Sequence, residues 1–96
     1  MITLLTNAIN FQNILEIDYD NALRIVEPYC HGTSSKGNHV LRAYQIGGFS
    51  SSGKYGWKLY DISKAKTIVL KQEQFFHIRA DYVRGDKSML SIYSEI

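Results

Sequence analysis

The chain has 96 residues, 45% of them hydrophobic and 21% charged, and carries a formal net charge of +2. That length builds one core and leaves no room for another, so residues 1–96 are read as a single domain. The apolar content excludes a disordered chain, and so small a positive charge excludes a protein that coats DNA.

The opening MITLLTNAINF has no basic leader, and nowhere does the chain reach the roughly 20 apolar residues of a membrane span. A soluble, cytoplasmic protein that makes no membrane contact is expected. Residues 3–12 place Leu4, Leu5, Ala8, Ile9 and Phe11 on one helical face, with Thr3 as N-cap. ILEIDY (14–19) alternates as a half-exposed strand, Asp20-Asn21 is a turn, and ALRIVEPY (22–29) returns as its hairpin partner. Pro28 marks a strand end, a bulge or an edge. HGTSSKGN (31–38) is a polar loop before a strand over 39–49, in which Leu41, Ala43 and Gln45 face one side and Val40, Arg42, Tyr44 and Ile46 the other.

Gly47 and Gly48 permit a sharp bend, and SSSGKYG is a second flexible loop. Strands are expected over 54–62 and 66–70, followed by a strand or irregular return through FFHIRADY. Gly85-Asp86 opens a predicted terminal helix, KSMLSIYSEI, with Asp86 as its N-cap. The chain therefore reads as mainly β: a small, strongly bent antiparallel sheet or partly open barrel, with short N- and C-terminal helices.

Gly48 to Tyr55 matches GxxxxGK, but Tyr55 stands where a P-loop needs Ser or Thr for magnesium. The loop also feeds a strand-like segment where a P-loop feeds a helix N-terminus. Its backbone amides and Lys54 could still meet an anion. His31, His39 and His77 are isolated in the sequence, so no metal site is expected. A single cysteine, Cys30, excludes an internal disulfide; it reads as a small buried hydrophobe, because its neighbour His31 points to the opposite strand face. Glu16 and Asp18 read as an exposed strand face, and no catalytic constellation or cofactor motif stands out. What remains is basic and aromatic interleaving. Arg42 shares a face with Tyr44, Lys58 shares one with Tyr60, and Tyr29, His31, Lys36, Lys54 and Trp57 lie nearby. Cations for phosphates and aromatic faces for bases are what a nucleotide or single-strand site needs.

Taken in order, LLTNAI, ILEIDY, Arg24-Ile25-Val26-Glu27-Pro28-Tyr29, VLRAYQ and Trp57-Lys58-Leu59-Tyr60-Asp61-Ile62 before KTIVLKQEQF resemble a WYL domain. The resemblance spans residues 4–76. His39-Val40-Leu41 stands where that family has Trp-Tyr-Leu, and Asp61 where it has a basic residue. The resemblance implies an Sm- or SH3-like barrel from bacterial or phage regulators, here a divergent stand-alone version with no room for the DNA-binding segment that precedes most such domains. It implies a non-enzymatic module that binds a nucleotide or short nucleic acid, as an accessory sensor or by sequestering a nucleotide signal. Arg42, Tyr44 and Lys58 would supply anion and stacking contacts, with His31, Gln45, Trp57, Ser51 and Lys54 around them. The alternative is an interaction module, forming homo-oligomers or holding a regulatory protein partner on an exposed edge strand.

Overall fold

The computed structural model describes residues 2–96. Helix α1 (Ile2–Phe11) buries Leu5, Ala8 and Ile9 along one stripe. That stripe closes one face of an antiparallel sheet formed by β1 (Asn13–Tyr19), β2 (Ala22–Thr33), β3 (His39–Gly48), β4 (Gly56–Asp61) and β5 (Ala65–Gln74). The strand order is β4-β3-β2-β1-β5, so the sheet ends at β4 and β5 and does not close. A single 3-10 turn, Ile62–Lys64, carries the chain from β4 to β5, and Asp61 caps it by accepting from the Ser63 amide. The chain is thus mainly β, with one N-terminal helix on a small antiparallel sheet that stays open, as the strand pattern of the sequence predicts.

Local chemistry sets the bends. Asp20 and Asn21 both adopt left-handed backbone, with φ of 50° and 61°, which matches the tight turn that joins two twisted strands. In β2 the register against β3 shifts between Ile25 and Val26 and again between Pro28 and Cys30. Pro28 thus sits at a bulge, as one reading of it allowed, and the strand runs on to Thr33 instead of stopping near Tyr29. The bulge leaves Tyr29 as the extra residue, turned away from the helix side of the sheet.

The expected C-terminal helix is not formed. Residues Ser91–Glu95 are a strand, β6, paired with the second half of β2 from Cys30 to Thr33. Its cause is a backbone demand. Strand β1 pairs only with residues 22–26 of β2, which leaves the amides and carbonyls beyond the bulge without a neighbour on that side. β6 fills this position, and the Leu90 and Ile96 amides extend the contact by donating to the carbonyls of Thr33 and Tyr29. Gly32 makes the approach possible, since a Cβ there would collide with the Ser91 carbonyl oxygen. Asp86 does accept from the Ser88 amide, but the turn it caps ends at Met89.

Two cores result. On the helix side, α1 packs on Leu15, Ile17, Val26, Leu41, Ala43 and Tyr60. On the outer face, Tyr29 gathers Phe75, Trp57, Tyr82 and Tyr44 beneath residues 75–90, which run without regular structure apart from isolated turns. The FFHIRADY stretch is therefore the irregular return, and it forms a second layer. Tyr29→Ala should cost about 3–5 kcal/mol in urea unfolding and release this layer to proteolysis. Gly32→Ala should likewise lower the unfolding midpoint, by displacing β6.

Candidate ligand-binding site

Alternation along β3 sends Arg42 and Tyr44 to the outer face, and the register Tyr44 to Trp57 brings the indole beside them from β4. Residues 81–87 arch over this corner. Between them lies a cleft of about 520 Å³ lined by Arg42, Trp57, Asp81, Tyr82, Arg84 and Lys87.

The indole is fixed from several directions. It meets Tyr29 edge-on at 4.8 Å and Tyr44 at 5.2 Å and 90°, and lies nearly parallel to Tyr82 at 5.9 Å and 28°. Its Nε1 donates to Asp81 Oδ2 at 2.9 Å. Tyr44 braces this arrangement while its own ring carries the Arg79 guanidinium at 3.9 Å. Arg79 in turn makes a two-pronged pair with buried Glu27 at 3.0 and 3.1 Å. Burial pushes the Tyr82 phenol up to about 12, so it keeps its proton and donates to the Tyr29 carbonyl.

The charges are mixed. Arg42 grips Asp86 with Nε to Oδ2 at 2.7 Å and Nη2 to Oδ1 at 3.3 Å, and reaches Ser88 Oγ at 3.2 Å. That contact holds the Asp86 carboxyl below its usual range. Arg42 is thus a fixed structural cation more than a free phosphate ligand. Arg84, paired with Glu95 but with a side chain 71% exposed, and Lys87, in no ion pair among the described residues, stand at the mouth. Chemically, the cleft offers an aromatic wall, carboxylates that accept from amino groups, and cations for a small anion.

The structure does not bring the other sequence-predicted residues to this cleft. Lys58 pairs with Ala43, so it lies on the opposite face of the sheet from Arg42 and Tyr44 and meets the hydroxyls of Ser50 and Ser52 at 3.4 Å. Gln45 is fully buried on that same side, its Nε2 donating to the Gly47 and Phe49 carbonyls. Ser51 and Lys54 are exposed on the loop tip. Conversely, Asp81, Tyr82, Arg84 and Lys87 escaped sequence reading. The signal was present, since ADYVRGDK repeats the aromatic-basic interleaving of the central strands, but it lay outside any strand.

His31 forms a third location and corrects the reading of isolated histidines. Its Nε2 lies 3.3 Å from His39 Nδ1, the two rings stack, and Tyr93 of β6 covers both. The pair follows from the hairpin: His31 opposes Leu41, so His39 is its diagonal neighbour on one face. Cys30 is buried against Met89, and burial together with nearby Glu95 and Asp86 pushes its thiol up to about 12. It stays a thiol, as the buried-hydrophobe reading requires.

Comparison of the chain with family models, with curated proteins and with solved structures gives no match.

Burial, and then the neighbouring His39, lowers His31 from 6.5 to about 4. Between those values the unfolded chain binds a proton that the folded chain refuses, so stability is complete above the upper value and falls as pH drops through the window. The loss should reach roughly 2–3 kcal/mol by the lower end. Urea titrations at stepped pH should show this slope, and His31→Phe should flatten it.

Proposed function

We propose that this domain is a non-enzymatic binding module that takes a nucleotide or short nucleic acid in the cleft between Trp57 and residues 81–87. The observation that carries the reading is the fixed indole beside Tyr82, with Arg84 and Lys87 at the mouth. A base stacks on the aromatic wall, and such contacts are worth about 1–3 kcal/mol each. Asp81 and Asp86 accept hydrogen bonds from exocyclic amino groups, as carboxylates do from cytosine. Arg84 and Lys87 take the phosphate.

The two carboxylates also limit the ligand, because they repel a long, densely charged backbone. A single nucleotide or a short strand fits better than a duplex. The resemblance to WYL domains supports the same class of ligand and a role as an accessory sensor or as a trap for a nucleotide signal. A second reading rests on a different observation. Among the described residues the outer edge of β5 has no strand partner, and near it Val69 is 50% and Phe76 76% exposed, as an edge that recruits a regulatory protein or a second copy of the chain would be.

Intrinsic fluorescence of Trp57, the only tryptophan, reports on the cleft directly. Titration with mononucleotides and short oligonucleotides should quench it saturably. Lys87→Ala should weaken binding by about tenfold, and the logarithm of affinity should fall with that of salt at a slope near −1 to −2. Saturable binding untouched by Lys87→Ala and Arg84→Ala, or a clean self-association with no nucleotide response, would overturn the reading in favour of the edge.

A further inference from the structure

The helix-side face of the sheet carries a second feature, at the end where β2 and β3 separate. Arg24 is only 8% exposed, yet it belongs to none of the ion pairs among the described residues. Its Nη2 makes one long contact, 3.4 Å to the Tyr19 carbonyl, and its Nε is buried with no partner. A guanidinium is almost never buried this far without a counter-charge. The Tyr19 and Phe49 rings lie 5.5 and 5.1 Å from its central carbon, which offsets part of the lost hydration without satisfying the donors.

Lys58 lies on the same face, since Arg24 opposes core residue Ile17 and Lys58 opposes core residue Ala43. It too lacks an acidic partner, and its ammonium touches only the Ser50 and Ser52 hydroxyls. Both cations therefore sit under one loop, Arg24 beneath Phe49 and Lys58 beneath the next residue. That loop starts at Gly48, with φ 79°, and ends at Gly56, with φ 114°, conformations that favour glycine. The Tyr60 hydroxyl, another buried group without a partner, shares the face, and so does Gln45. Asp18, also with an unpartnered oxygen, points to the other side of β1 because it neighbours Ile17.

We infer that this end of the sheet is an oxyanion site, separate from the Trp57 cleft, in which Arg24 and Lys58 hold a phosphate group beneath the Phe49–Tyr55 loop. A phosphate supplies the acceptor oxygens that the Arg24 fork lacks and the negative charge that both cations lack. Entry requires Phe49, itself 54% exposed, to swing off the guanidinium about its glycine-flanked loop. The Tyr60 hydroxyl donates to a remaining phosphate oxygen.

The test uses the full chain and inorganic phosphate as probe. Thermal unfolding is followed against rising sodium phosphate, with sodium chloride at matched ionic strength as control. The midpoint should climb saturably with phosphate alone. Lys58→Met, which leaves the core intact, should weaken the apparent phosphate affinity by about tenfold, and Arg24→Met should abolish the response. A Trp57→Leu, Lys87→Ala variant should keep it, so loss of nucleotide binding at the cleft and loss of this site are read separately. No phosphate effect beyond chloride, or an effect that survives both Lys58→Met and Arg24→Met, overturns the inference and leaves Arg24 as a cation held by aromatic packing alone.

Discussion

The aromatic layer on the outer face is centred on Tyr29. Its ring is fully buried and touches Trp57, Phe75 and Tyr82, while its hydroxyl accepts from the Arg79 amide and its carbonyl from the Ile96 amide and the Tyr82 hydroxyl. One residue, through its ring, hydroxyl and carbonyl, thus fastens the irregular 75–90 segment, Ile96 and the β4 indole to the sheet. It can do so because the bulge after Pro28 turns it outward. Aromatic contacts of this kind add about 0.5–1.5 kcal/mol each beyond burial, and here they substitute for regular secondary structure.

A consequence is that the cleft is built from fixed parts. Trp57 has its polar edge occupied by Asp81, and Arg42 has its fork occupied by Asp86. Such pre-placed groups bind with little loss of side-chain freedom, but their charges are already half spent on one another. The proposed ligand, a single nucleotide or a short strand, follows from this partial neutralisation. The buried cation on the other side of the sheet is the opposite case, a donor set with rings around it and no acid.

The sequence carried the strands, the hairpin turn and the helix well, because each has a local cause. Leu5, Ala8 and Ile9 fall on one helical stripe, and Asp20-Asn21 tolerate left-handed backbone. It failed at the C-terminus for a non-local reason. Met89, Ile92 and Ile96 have helical spacing, but the open side of β2 beyond its bulge offers backbone partners that an isolated helix cannot match. The site was half legible for a related reason. Alternation correctly grouped Arg42 with Tyr44 and Lys58 with Tyr60, yet only the register shows that the two pairs face opposite sides. Asp81 and Lys87 come from a segment with no period, and only long-range contacts place them: the Tyr29 cluster, the Trp57–Asp81 hydrogen bond and the Arg42–Asp86 pair. Arg24 reads as an ordinary strand cation until its burial and missing partner are seen.

We propose ligand binding at the Trp57 cleft. Its most direct test is a two-dimensional proton–nitrogen spectrum recorded while a mononucleotide is added, since the single indole Nε1–H gives one unambiguous signal. With a nucleotide in the cleft this signal should move saturably, together with the backbone amides of residues 82–87, while the amides of β5 stay in place. An unmoved indole with shifts confined to β5 would contradict it.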